Sequence, residues 1–209
     1  AQEHGLNIVL EEHYPATSVD MSSIVLSLQN RDVDVVLQTS YQDDSVLFLR
    51  QADERGYKPK AIIGGGGGYS MIQTAEAVGA DTIEGVYDVD FTQYRINPEF
   101  APGIDAFVEA YEEKYGESPR SGHSLMNYAG ALELLRAIDS GNGFSAEEIK
   151  EAVLAMDVPV GGTAAGIGMM IGENNQNQRA RMMGMQWQDG ALTTVYPEEA
   201  SVAEMRTSQ

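Results

Sequence analysis

Through its first ninety residues the chain alternates short β-branched runs with amphipathic stretches, a pattern that restricts it to folds built on a parallel sheet. Leu6–Leu10 reads as a short apolar strand, and Val19–Arg31 as a helix with Ile24, Val25 and Leu28 on one face and Ser18 or Asp20 placed to cap it. Val33–Leu37 is nearly continuous in β-branched residues, as expected of a parallel strand covered on both faces. Asp43 or Asp44 is expected to cap the next helix, which carries Val46, Leu47, Leu49 and Ala52 and closes at Gly56. Lys60–Ile63 is the following strand and runs into five glycines, Gly64–Gly68. A short helix over Met71–Val78 and a strand over Gly85–Asp90 complete a β-α-β-α-β-α-β order, the signature of a doubly wound α/β sheet.

The texture changes after Phe91. A loop with Pro98 and Pro102 precedes three helical stretches, Ile104–Tyr115, Ser121–Ser140 and Ala146–Met156, with no clear strand between them. Ser145 with Glu148 three positions on forms a capping box. From Val158 the chain turns to short β-like pieces, and Arg181–Gln188 and Ala191–Val195 flank Asp189-Gly190, a strong hairpin signal. Such a chain crosses between two lobes. Ala1–Gly5 reads as the last turn of a helix closing on glycine, so sequence upstream is expected.

Composition narrows the functions open to this fold. Thirty-two acidic residues against 13 basic give a formal net charge of −19 over 209 residues, a field that repels phosphate backbones and argues against nucleic-acid binding. An acidic, lysine-poor surface suits a salty environment, and equally an ordinary acidic protein. The absence of cysteine removes disulfides, thiolate metal sites and cysteine nucleophiles. His4, His13 and His123 have no metal-ligand spacing, and no Gly-x-Ser-x-Gly elbow occurs. Neighbouring acids such as Glu11-Glu12, Asp43-Asp44 and Glu112-Glu113 point apart and read as solvated faces or caps. Met169, Met170, Met182, Met183 and Met185 read as core filler. No catalytic residue, metal or cofactor is expected.

Several stretches, in order, resemble the branched-chain amino-acid-binding (Leu/Ile/Val-binding-like) family of ABC-transporter periplasmic substrate-binding proteins. They are Tyr14-Pro15 with Asp20–Ser23; Asp34–Val36, Tyr41, Leu49–Ala52 and Gly56–Pro59; Gly64–Gly68 with Glu84-Gly85; Phe107–Gly116, Pro119, Tyr128-Ala129 and Leu132–Ile138; and Gln186–Gly190 with Pro197. The resemblance covers nearly all of the chain. It implies the type I periplasmic binding fold with the N-terminal lobe largely missing. Residues 1–90 would be the second lobe, Rossmann-like and lacking its first strand. Residues 91–156 would be a helical segment of the first lobe, and 157–209 a crossover and closing hairpin returning to the second.

Members of that family close two lobes on a solute, so strand ends are expected to line the cleft. The resemblance places Tyr41 and Gln42, after the strand Val33–Leu37, against the ligand; the alternative for Tyr41 is a surface loop tyrosine. Gly65, Gly66 and Gly67 let backbone approach a ligand and offer N–H donors. They fit neither the dinucleotide fingerprint nor the Walker pattern, and a loop with no ligand role is the other reading. Amino-acid binders carry a carboxylate in this loop where the present chain has Gly66. Asp43, Asp44 or Asp88 then supplies the counter-charge, or the ligand is a small organic acid, amide or aromatic compound. His123 matches an aromatic contact from the first lobe, and equally reads as a helix-end group.

The expectation is therefore a non-enzymatic, periplasmic (or extracellular, membrane-tethered) solute-binding component of an ABC importer, working with membrane permease subunits. A ligand-sensing receptor on the same fold, and a nucleotide-binding enzyme using the glycine run, are the competing readings.

Overall fold

The computed structural model describes residues 2–207. The helices are α1 (Ser22–Asn30), α2 (Gln42–Glu54), α3 (Ile72–Val78), α4 (Ala80–Ile83), α5 (Ile104–Tyr115), α6 (Gly122–Ser140) and α7 (Ala146–Leu154). The strands are β1 (Val35–Thr39), β2 (Ala61–Gly65), β3 (Tyr87–Asp90), β4 (Met183–Gln188) and β5 (Ala191–Tyr196), hydrogen-bonded in the order β1-β2-β3-β4-β5. This is the α/β architecture expected, with a mixed, mostly parallel sheet. Two compact units are present. One comprises residues 1–90, 185–192 and 205–209, and the other residues 91–184 and 193–204.

In the first unit β1 and β2 pair in parallel with Leu37 opposite Ile63 and Gln38 opposite Gly64, and β2 pairs β3 in parallel with Gly64 opposite Asp88. One face of these strands is covered. Val36 packs with Met21, Val25 and Leu28 from α1 and Phe48 and Ala52 from α2. Full burial of side chains of this size contributes about 1.5–3 kcal/mol each. The other face is not covered: β1 alternates exposed and buried residues, with Val35 40% and Leu37 63% exposed. The expectation of cover on both faces is corrected here, because α1 and α2 lie together on one side.

Leu6–Leu10, expected to be a strand, joins no ladder, and Leu6 and Ile8 are half-exposed. A strand exists only with a neighbour to bond, and nothing in the described residues pairs with this segment. Ahead of it, Gln2–His4 form one 3-10 turn ending at Gly5, whose φ of 75° is the left-handed value glycine tolerates.

Asp189 and Gly190 both take positive φ, 54° and 77°, as a two-residue hairpin turn requires, and so join β4 to β5 where the sequence indicated. On β4, Trp187 is 1% exposed and its indole N–H donates to the Tyr69 carbonyl at 2.8 Å. Met183 and Met185 are buried as core filler, whereas Met170 and Met182 are exposed at 37% and 47%. In the second unit α6 packs on α7, and Phe107 of α5 lies between Tyr94 and Tyr128 at ring separations of 6.3 and 4.8 Å. The Ser145–Glu148 capping box forms: the Ser145 N–H donates to Glu148 Oε2 at 3.0 Å and the Glu148 N–H to Ser145 Oγ at 3.3 Å.

Gly64 is a packing requirement of the first unit. A Cβ there would collide with Cδ2, Cγ and Cβ of Tyr69, whose ring lies fully buried across it. Gly64→Ala is expected to cost at least the ~1–3 kcal/mol of core overpacking, read as a lower urea midpoint with unchanged m-value. Gly56→Ala, in open space at a φ of +63°, should cost only about 1 kcal/mol.

Candidate functional site

The ends of β1 and β2 are tied into one rim. The Ser40 N–H donates to the Gly65 carbonyl at 3.1 Å, and the Gly68 N–H donates to the Ser40 carbonyl at 3.2 Å. Ser45 Oγ donates to the Gln42 carbonyl at 2.9 Å and lies 3.1 Å from the Gly68 carbonyl. A Cβ at Gly68 would stand 2.6 Å from the Tyr41 carbonyl oxygen, so only glycine allows the glycine loop to lie this close to Tyr41. Gly66 adopts a φ of +85° and would meet the Ser40 carbonyl at 3.3 Å. Tyr41, Gln42, Gly65, Gly66 and Gly67 are thereby brought together at the carboxyl ends of two parallel strands. Tyr41 is 76% exposed, with its backbone held and its ring in solvent.

What holds Tyr41 is Asp44, one of the two carboxylates expected to cap this helix. Asp44 is the third residue of α2 and accepts the Tyr41 N–H at 2.7 Å, with Tyr41 as the residue that starts the helix. Its other oxygen accepts the Tyr14 hydroxyl at 2.7 Å. Gln38 Nε2 donates to Tyr14 Oη at 2.7 Å, and the Tyr69 hydroxyl donates to Gln38 Oε1. Burial, with the Asp44 charge beside it, pushes the Tyr14 phenol up to about 12, so it stays a neutral donor at any physiological pH. Gln38 was a legible clue, a polar residue facing inward from an otherwise apolar strand; the partnership of Tyr14 with Asp44, thirty residues on, had no local signature.

Asp88 is placed differently from the rim residues. It is fully buried on β3, neither carboxylate oxygen has a hydrogen-bond partner among the described residues, and its neighbour Asp90 accepts Ser70 Oγ at 2.6 Å. Burial, reinforced by the Asp90 charge, pushes the Asp88 carboxyl up to about 8. His123 belongs to the second unit, where it is exposed in the first turn of α6 and meets Phe91 edge-on at 5.4 Å. No group of three or more metal-type side chains forms among the described residues.

The geometry defines a class of surface: an exposed aromatic ring and a glycine backbone on a rigid rim beyond parallel strand ends, where α/β proteins bind small molecules. A periplasmic binding protein family profile matches residues 1–191. The chain belongs to the periplasmic binding protein family. It is 61% identical over 206 residues to the Leu/Ile/Val-binding protein homolog 8 of Brucella abortus (strain 2308), covering 99% of this chain and 51% of that protein. The fold matches a leucine-binding protein from Thermotoga maritima at a TM-score of 0.70 and 24% identity, over 87% of this chain and 49% of that one. It also matches the substrate-binding protein of a branched-chain amino acid transporter from Streptococcus pneumoniae, in complex with isoleucine, at 0.69 and 20%, over 94% and 52%. These relatives are binding proteins, not enzymes. The chain spans about half the length of the relatives it matches.

Two substitutions separate the roles of the buried acids. Asp44→Ala removes the acceptor of both the Tyr41 N–H and the Tyr14 hydroxyl, and is expected to cost about 2–4 kcal/mol in urea unfolding. Asp88 behaves in the opposite sense. Its folded pKa lies above its unfolded value, so the unfolded state binds fewer protons between about pH 4 and 8 and stability falls as pH rises through that window. Asp88→Asn should therefore stabilise by a few kcal/mol at pH 8 and hardly at pH 4; equal effects at both would show that the carboxyl is not held protonated.

Proposed function

We propose that this chain is about half of the solute-binding component of an ABC importer, and that its Tyr41–Gly67 rim is one wall of the solute site. The observation that carries this is the rim itself: Tyr41 exposed over a backbone locked to Asp44, with Gly66 and Gly67 beside it at the strand ends. A ring whose backbone is already fixed loses little entropy on contacting a ligand, and glycine lets the ligand reach backbone N–H groups. The names of its relatives support an amino acid or similar small organic molecule as the solute.

Of the three acids available to balance an α-ammonium, Asp44 is engaged and Asp88 buried without access to solvent, whereas Asp43 in the first turn of α2 is exposed. Asp43 is thus the counter-charge in this reading. Residues 1–90 with the hairpin tip would form the second lobe and the helices after Phe91, with His123 as a further candidate solute contact, part of the first. The importer's permease subunits are the macromolecular partner, and the periplasm, or the outer face of the membrane with a tether, is the location.

A clamp needs two jaws. Calorimetric titration with leucine, isoleucine, valine and small amides should show binding by this chain at least ~100-fold weaker than by the protein carrying both lobes. In the two-lobed protein Tyr41→Ala should weaken binding at least ~10-fold, about 1.4 kcal/mol, and Asp43→Asn should weaken amino acids more than amides. Tight binding by this chain alone, or indifference to Tyr41→Ala, would sink the proposal.

A further inference from the structure

The connection between α6 and α7, Gly141-Asn142-Gly143-Phe144-Ser145, is exposed or partly exposed throughout and contains the sequence's one Asn-Gly pair. Asparagine is a chemically labile residue, and most so before glycine, where no Cβ shields the next backbone nitrogen and the chain turns freely. Here the fold leaves both reacting groups open. Asn142 is exposed, and among the described residues neither its side chain nor the Gly143 N–H makes a hydrogen bond. Gly143 is also required where it stands, because a Cβ there would collide with the carboxyl group of Glu148. The capping box of α7 thus demands the glycine that leaves Asn142 open. Asp189-Gly190 offers the same chemistry in the opposite setting. The Asp189 carboxylate accepts both ends of the Arg206 guanidinium at 3.2 and 2.6 Å. The Gly190 N–H, on the nitrogen that would attack, donates to Glu84 Oε2 at 3.4 Å. That turn is latched.

We propose that Asn142 is a self-modification site of this protein and that its reaction releases the start of α7. The Gly143 nitrogen attacks Asn142 Cγ. The N–Cγ bond forms, the Cγ–Nδ2 bond breaks, and Nδ2 leaves as ammonia with the proton of the Gly143 amide. Water then opens the cyclic imide at either carbonyl, giving aspartate or isoaspartate. Both products put a negative charge next to Gly143, against which the Glu148 carboxyl already stands. Hydrogen bonds from Ser145 hold that carboxyl below the usual carboxylate range, so it is itself charged. Isoaspartate also adds one carbon to the main chain just ahead of Ser145. The bonds at stake are those from the Ser145 N–H to Glu148 Oε2 and from the Glu148 N–H to Ser145 Oγ. No residue of α7 is fully buried, so little else holds its first turn. The inference does not depend on the solute reading.

The chain would be aged at mildly alkaline pH and digested with trypsin at intervals, and peptides 137–150 and 182–206 followed by mass and retention. Peptide 137–150 should gain the mass of amide-to-acid conversion and split into two products of equal mass, several-fold faster than Asn30 or Asn127 react. Peptide 182–206 should acquire isoaspartate only when the chain is unfolded in urea, whereas Asn142 should react at much the same rate folded or unfolded. Hydrogen exchange at the amides of Glu148 and Ile149, which bond to Ser145, should rise several-fold in the aged chain. Asn142→Gln, whose longer side chain closes the ring slowly, should keep both the original mass and the protection. Three results would each overturn the proposal: Asn142 reacting no faster than Asn30 and Asn127, isoaspartate forming at 189 in the folded chain as fast as at 142, or unchanged exchange at the start of α7 after ageing.

Discussion

The first unit depends on how the ends of β1 and β2 are fastened together. Two backbone hydrogen bonds, Ser40 to Gly65 and Gly68 to Ser40, make one rim out of two loops that lie more than twenty residues apart. Everything nearby follows from that closeness. Gly64 is required because the Tyr69 ring passes over the strand, and Gly68 because the Tyr41 carbonyl leaves no room for a Cβ. Asp44 then takes up the Tyr41 N–H and passes the constraint through Tyr14 and Gln38 to Tyr69. A buried network in which each member is satisfied is stiff, and its stiffness presents an exposed tyrosine in one fixed place.

The glycine run therefore contains two kinds of glycine. Gly64 and Gly68 serve internal packing, whereas Gly65, Gly66 and Gly67 are the partly or fully exposed members at the rim. The buried acids divide in the same way. Asp44 accepts two hydrogen bonds; neither carboxylate oxygen of Asp88 has a hydrogen-bond partner among the described residues, and burial holds it toward its neutral form. A desolvated carboxyl without a donor is costly as an anion, so protonation is the less costly state. Identical residue types thus serve opposite ends according to what surrounds them.

Much of the fold could be read from local pattern because its elements are set by local rules. α5 begins and ends where its apolar spacing and Gly116 indicated, the Ser145 box starts α7, and Asp189-Gly190 turns the hairpin. Boundaries shifted by only a few residues elsewhere, as with β2 and α1. Leu6–Leu10 shows the limit. Its composition suits a strand, yet a strand is a property of a pair, and the ladder it needs is absent among the described residues. The exposed side of β1 makes the same point, since its apolar run anticipates cover that α1 and α2 do not provide.

Residue order alone determined the alternation of strand and helix, the position of the glycine run after β2 and the family resemblance, because each resides in contiguous residues and their spacing. Only the tertiary structure decided which glycines pack and which face solvent, that Asp44 receives the Tyr14 hydroxyl from thirty residues away, and that Asp88 is fully buried. Those outcomes depend on atoms far apart in the chain meeting within about 3 Å, and no local pattern specifies which distant group will arrive.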